Sequence, residues 1–181
     1  MPPELAVGDG ALGFWAALRK AFPKTREQRC WVHKTANILN DVPKSVQARM
    51  KTVIHSIWQA ETKEEAVKAM EQFKDAYSAK YPKAWERIEK DSDVLLSFYD
   101  FPAEHWRHLR TTNPIESAFA TIRLRHRRTK GSGTRRACLA MMFKLGVHAE
   151  KRWRRLNGHK QIISLLEGKK FIDGIMQQDA A

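Results

Sequence analysis

The chain has no apolar run near the ~20 residues that a membrane-spanning helix needs, and its opening Met-Pro-Pro-Glu lacks the charged-then-apolar pattern of a secretory signal. A membrane partner is therefore not expected, and a cytoplasmic location is. Cysteine is almost absent. Cys30 and Cys138 are the only two, too few for the multi-bridge framework of a small secreted scaffold. No internal repeat or low-complexity segment interrupts the chain. What remains is ordinary globular material, 43% hydrophobic and 29% charged over 181 residues, enough for one domain or a small domain with an appendage.

Acid is scarce in one half only. Residues 1–106 hold 16 Lys/Arg against 15 Asp/Glu, whereas residues 107–181 hold 17 against 5. Within residues 107–136 nine cations accompany a single acid, Glu116. Cations packed this densely repel one another unless an anion partners them, so the second half has the electrostatic footprint of a polyanion-binding surface. The plainer alternative is a basic face that only keeps the protein soluble.

Periodicity organises the rest. Leu5-Ala6-Val7 reads as a strand ending at the turn Gly8-Asp9-Gly10. Leu12, Trp15, Ala16 and Leu18 mark a helix closed by Pro23. Thr25–Trp31 predicts a second strand and Val32–Leu39 a second helix. From Pro43 to about Phe98 the pattern is helical throughout. Val46, Met50, Val53 and Ile57 define one stripe. Thr62-Lys63-Glu64-Glu65 is a capping box opening the next helix, and Pro82 to Leu96 makes a third. Tyr99-Asp100-Phe101-Pro102 is a break. Asn113-Pro114 starts a helix running to about Arg125, with Ile115, Ala118, Phe119 and Ile122 as its buried stripe. A flexible basic turn, Lys130-Gly131-Ser132-Gly133-Thr134, leads to a helix from Arg135 to about Arg155. Gln161–Leu166 forms a short helical turn, and the tail fades after Phe171.

Two carboxylates stand out by position. Asp9 closes a strand between glycines, and Glu116 sits in the first turn of a helix amid cations. Carboxylates from separate elements converging on divalent ions inside a basic groove describe two-metal phosphoryl transfer. Each has a simpler reading. Asp-Gly is a common turn. With Asn113 at N-cap, Pro114 at N1 and Glu116 at N3, Glu116 could merely close a capping box. At 100° per residue Glu116, Arg123 and Arg127 share a face, which suits a metal ligand flanked by phosphate contacts or, equally, a solvated salt-bridged surface.

Several segments in order carry a resemblance. Val7-Gly8-Asp9-Gly10-Ala11-Leu12-Gly13-Phe14-Trp15, Gln28-Arg29-Cys30-Trp31-Val32-His33-Lys34, Phe101-Pro102-Ala103-Glu104-His105-Trp106 and Arg110-Thr111-Thr112-Asn113-Pro114-Ile115-Glu116-Ser117 resemble segments of the Mutator-like DDE transposases of bacterial insertion sequences. Arg123-Leu124-Arg125, Thr129-Lys130-Gly131 and Trp153-Arg154-Arg155-Leu156-Asn157-Gly158 continue it. The likeness covers nearly the whole chain and matches the C-terminal part of the family's catalytic region.

The resemblance implies an α/β fold that is mostly α overall. It consists of a partial ribonuclease-H-like core of about two strands, a large all-helical insertion and a helical C-terminal part. The segments implied are 1–42, the second half of the sheet with the second catalytic aspartate; 43–108, the helical insertion; and 109–181, the basic part with the catalytic glutamate. It makes Asp9 and Glu116 catalytic metal ligands for Mg²⁺ or Mn²⁺, with a two-metal site expected only in the full-length protein. DNA, both element ends and target, is the implied partner, bound by Arg110, Arg123, Arg125, Arg127, Arg128, Lys130, Arg135, Arg136, Lys151, Arg152, Arg154 and Arg155. A homo-oligomer on DNA and a nucleoid-associated location follow. Cys30 and His33 match the family's Cys-x-x-His pair. Without a second pair at zinc spacing, a packing or orienting role is favoured over a zinc site.

The family's first aspartate lies well upstream of the second, and here only eight residues precede Asp9, with Glu4 on the same strand. The chain is thus expected to be a truncated form whose catalysis fails alone. The alternative is a DNA-binding remnant of a transposase without catalysis, and a further one is a nuclease relative that hydrolyses without joining.

Overall fold

The computed structural model describes residues 2–131 and 133–178. β1 (Leu5–Gly8) and β2 (Arg26–Arg29) pair in parallel, Leu5 opposite Arg26 through Gly8 opposite Arg29. Parallel neighbours cannot be joined by a tight hairpin, and α1 (Leu12–Ala21) supplies the crossover. The amide of Cys30 continues the ladder to the Gly8 carbonyl at 2.8 Å. Gly8 is required where it stands, because a β-carbon there would come 2.7 Å from the buried Trp15 ring.

α2 (Trp31–Leu39) leaves β2 with no connecting loop, so its first turn sits at the strand's end. α3 (Lys44–Gln59), α4 (Lys63–Tyr77), α5 (Pro82–Glu89) and the single turn α6 (Ser92–Leu95) follow. The α4 start forms half of the capping box that its sequence predicts: Thr62 Oγ1 accepts from the Glu65 amide, while the Glu65 carboxylate accepts from the amide of Glu61, one residue before the cap. Two 3₁₀ turns, Ser97–Asp100 and Ala103–His105, lead into α7 (Trp106–Leu109). α8 (Asn113–Arg128) and α9 (Arg135–Glu150) form the basic part, followed by α10 (Gln161–Leu166) and the antiparallel pair β3 (Phe171–Ile172) and β4 (Ile175–Met176). The chain is mostly helical with few, short strands.

One hydrophobic core runs from α2 through α7. Trp31, Ile38, Met50, Ile54, Ile57, Phe73, Ile88, Leu95, Phe98, Tyr99 and Trp106 are buried together. Removing each such side chain from water contributes about 1.5–3 kcal/mol, which is what holds the helical block and ties α2 to it.

Five expectations need correction. The third helix does not run unbroken to Leu96. It stops at Glu89, because Asp91 leaves helical geometry and pairs with Lys34 of α2. The helix from Asn113 runs on to Arg128 rather than to about Arg125, while the break at Tyr99–Pro102 is present as tight turns whose Phe98, Tyr99 and Phe101 are buried. The helix from Arg135 ends at Glu150 rather than near Arg155, and the amides of Arg152 and Trp153 close the chain back on Ala149 and Glu150. The tail does not fade after Phe171. β3 and β4 form a hairpin there, seated by Gly174 against Ala103 with its amide bonded to the Tyr99 carbonyl.

The fifth correction concerns α8. Of its apolar stripe only Ile122 is buried; Ile115 is 59% and Phe119 47% exposed. The spacing does set these side chains on one face, but the packing of α9 on α8 leaves Ile115 and Phe119 in water. The basic turn's Ser132 lies outside the described residues. Around it Lys130 and Gly131 have positive φ, 51° and 103°.

Candidate active site and basic face

Asp9 follows the last residue of β1, and its geometry is built by neighbours. Its Oδ1 accepts from the Ala11 amide at 2.9 Å, so it does serve the turn. Its carbonyl accepts from Trp15 Nε1 at 2.8 Å and from Arg29 at 2.6 Å. Arg29 in turn lies 5.0 Å from the Trp15 ring centroid. The Asp9 residue is exposed and lines a small cavity of ≈ 250 Å³ with Arg29, Cys30, His33, Lys34 and Asp91.

Glu116 does not close a capping box. The helix begins one residue earlier than the sequence suggested, with Thr112 at the N-cap and Asn113 already helical. The Thr112 amide donates not to Glu116 but to Cys30 Sγ, at 3.3 Å. The Glu116 carboxylate accepts instead from the Thr112 hydroxyl at 2.5 Å and stands 3.7 Å from His33 Nε2. Arg123, on the same face, reaches the Glu116 backbone carbonyl at 3.1 Å. Glu116 is therefore held by the hydroxyl of its own helix's N-cap residue and not by a backbone amide of that helix end.

Cys30 and His33, the pair of uncertain role, form the joint. Cys30 is buried at the end of β2, and His33 sits in the first turn of α2. Their side chains meet at 3.2 Å, and the Thr112 hydroxyl lies 3.4 Å from the same sulfur. Burial pushes the Cys30 thiol up, yet the hydrogen bonds from Thr112 and His33 outweigh it and hold its pKa below the ordinary value. The hydrogen bond to Cys30 raises His33 against its partial burial, and the charges of Cys30, Glu116 and Asp9 raise it further. One imidazole thus feels both carboxylates. Through these bonds Cys30 and His33 tie the end of β2 and the start of α2 to the N-cap of α8.

Sequence reasoning missed three residues here. Thr112 had a signal, since it lies four residues before Glu116 and so on the same helical face. Lys34 and Asp91 had none. They are 57 residues apart and meet only because α2 packs on α5, with Arg29 3.6 Å from the same carboxylate. Burial lowers the Lys34 pKa, against the opposing pull of Asp91.

The basic side chains divide. Arg123, Arg125, Arg127, Arg128, Lys130, Arg135, Arg136, Lys151, Arg152, Arg154 and Arg155 are all exposed along α8, α9 and the segment after it. Arg110 is set apart. Its guanidinium lies among Phe98, Trp106 and Trp58, at 4.7, 5.1 and 5.8 Å from their ring centroids, and burial lowers its pKa. Its backbone carbonyl accepts from the Trp31 amide at 2.9 Å. Arg110 anchors the approach to α8 on the helical core.

Comparison with known proteins gives this geometry a context. The model of the family described as "Transposase, Mutator family" matches residues 3–155. The chain is 55% identical over 173 residues to the transposase for insertion sequence element IST2 of Acidithiobacillus ferrooxidans, covering 96% of this chain and 58% of that protein. It is 52% identical over 172 residues to the transposase for element IS6120 of Mycolicibacterium smegmatis, covering 95% and 53%. A transposase for IS905 of Lactococcus lactis is 36% identical over 114 residues, covering 63% and 29%. The chain spans a little over half the length of the first two relatives.

Proposed function

The chain belongs to the Mutator family of transposases, and from that membership we propose that it contributes two of the carboxylates, Asp9 and Glu116, to a DDE-type site that cuts and rejoins DNA. The observation that carries the reading is the position of His33, 3.7 Å from the Glu116 carboxylate and lining one cavity with Asp9, beside a Glu116 that its helix does not use as a cap. β1 and β2, parallel and bridged by α1, are the part of a ribonuclease-H-like sheet that this chain supplies in the proposal.

The donor chemistry suits a hard divalent cation, since Asp9 and Glu116 offer carboxylate oxygens. Among the described residues no three His, Cys, Asp or Glu side chains are grouped to hold a metal ion, so in this proposal Asp9 and Glu116 are only part of a ligand set. Mg²⁺ or Mn²⁺ held there supplies Lewis-acid activation of attacking and leaving oxygens. The chain's own residues do the rest. Thr112 fixes one oxygen of Glu116 through its hydroxyl. The Asp9 turn is locked by the Ala11 amide, Trp15 and Arg29. The exposed arginines of α8 and α9 hold phosphates on either side of the reacting bond. Water or a terminal 3′-hydroxyl attacks a phosphodiester at the element's end. The bond to the departing 3′-oxygen breaks, and that freed 3′-hydroxyl attacks a phosphodiester of target DNA in turn, displacing the target strand's 3′-oxygen as its new hydroxyl end.

A non-catalytic DNA-binding role has one observation in its favour for the 181-residue chain acting alone, namely that no three-acid group forms among the described residues. The two readings are separated by joining this chain to the remaining portion of the IST2 relative and comparing Asp9→Asn and Glu116→Gln. Both changes are nearly isosteric, and Asn keeps the Asp9 turn. Under the catalytic reading each variant loses DNA cleavage by orders of magnitude while thermal unfolding and DNA binding hold. Cleavage at the parent rate by Glu116→Gln would leave Glu116 a structural residue and remove the DDE assignment.

A further inference from the structure

Five of the six tryptophans are accounted for within the fold. Trp15, Trp31 and Trp106 are buried and donate their indole N–H to backbone carbonyls. Trp58 meets the His55 ring edge-on and lies under Arg110, and Trp85 lies under Lys74. Trp153 is different. It is 61% exposed, and among the described residues no ring or cation stacks on it.

A large aromatic left in water has a reason when it lines a built cavity. Trp153 does: with Arg107, His108, Pro114, Ile115 and Arg155 it helps line a cavity of ≈ 570 Å³, within the size range of ligand sites, and no acidic side chain lines it. The segment that carries Trp153 is pinned. The Asn157 amide donates to His108 Nε2 at 3.3 Å, and His105 Nε2 meets the Gly158 carbonyl at 2.9 Å. Gly158 holds φ at +64°, and a β-carbon there would lie 2.8 Å from the Glu104 β-carbon, so glycine is what allows this approach. Pro114 and Ile115 bring the cavity's wall to the first turn of α8, beside Glu116.

We propose that this cavity receives an unpaired nucleotide, its base stacked on the Trp153 indole and its phosphates held by Arg107 and Arg154. An aromatic face framed by cations, with no acid, is how proteins hold single-stranded nucleic acid, since every base offers a π-face and every linkage an anion. A base paired inside a duplex cannot present its face to Trp153, so the cavity selects a strand end or an extruded base next to the Glu116 helix. This inference rests on the DNA-processing reading above and assigns to it a strand-separated substrate.

The test uses the 181-residue chain and three fluorescein-labelled DNAs: a blunt duplex, the same duplex with a single-stranded thymine extension, and that extension built from abasic sugars. The extension is expected to tighten binding about 5- to 100-fold over the blunt duplex. Trp153→Ala, and separately the abasic extension, should each abolish that gain while leaving blunt-duplex affinity unchanged. Trp153→Phe should keep most of it. No gain from the extension, or a gain that survives Trp153→Ala, overturns the nucleotide site while leaving DNA binding intact. Absence of salt-sensitive binding to all three DNAs overturns both this inference and the DNA reading beneath it.

Discussion

Between Pro43 and Leu109 the apolar side chains of α3 to α7 meet one another, and Met50, Ile54, Ile57, Phe73, Ile88 and Phe98 are fully buried. Between Asn113 and Arg155 the opposite holds. α9 contains no buried residue, α8 only one, and Phe119, Leu124, Leu139 and Phe143 stand in water among exposed arginines. The first region is stabilised by its own core. The second draws little stability from within and offers cations and apolar faces to whatever binds it. Both regions are built of helices, so helicity says nothing about which one is self-sufficient.

The largest contrast should come from paired truncations. Phe98→Ala removes a ring at the centre of the core and should cost about 3–5 kcal/mol in urea unfolding. Phe143→Ala, at a side chain 67% exposed, should stay within about 0.5 kcal/mol. Similar losses at the two sites would mean that α9 is packed in solution.

Charge location should separate the regions next. Replacing Arg123, Arg127 and Arg128 together by Ala should flatten the dependence of DNA affinity on salt, by about 0.9 in log–log slope for each phosphate no longer neutralised. The same change at Lys63, Lys68 and Lys74 of α4 should leave the slope alone. Equal effects in fluorescence anisotropy would assign binding to total charge rather than to the basic helices.

The joint between the regions is smaller in energy and more specific. Thr112→Val deletes the hydroxyl that holds Glu116 and touches Cys30. With the Glu116 side chain 42% exposed, solvent screening limits the loss to about 1 kcal/mol. Cys30, losing a hydrogen bond that holds its pKa down, should also react more slowly with a thiol reagent. Thr112→Ser should behave as the parent, and an equally stable Val variant with Cys30 reacting at the parent rate would dismiss the joint.

Smallest is a pH effect inside the first region. The hydrogen bond from Arg87 holds the Asp41 carboxylate below its ordinary range, against a little burial. A depressed folded pKa means that the stability contributed is fully present above the unfolded value, near about 4, and is lost as pH falls through the lower folded value. The contribution is at most about 1 kcal/mol for this partly exposed pair. Asp41→Asn should remove that slope from acid unfolding curves, and an unchanged slope would locate the acid sensitivity elsewhere.

Local rules were enough for much of this protein. Strand, crossover helix, strand and the helical block are legible from Leu5 to Tyr77, because each is written in spacing, proline and a capping threonine. The charge asymmetry is likewise a property of composition, and so is the prominence of Asp9 and Glu116. Their surroundings were not legible. Whether Glu116 caps its helix depended on where the helix began and where the Asn113 amide went; that amide goes to the Thr111 hydroxyl, and the Thr112 amide to a sulfur 82 residues away. Lys34 and Asp91, or Arg110 within its three aromatic rings, are pairings across long stretches of chain that no periodicity encodes. Exposure was equally hidden: the stripe Ile115, Phe119, Ile122 has the spacing of a buried face, but burial requires a neighbour, and of the three only Ile122 is enclosed by one. Spacing determines which side chains share a face, and packing alone decides what that face meets.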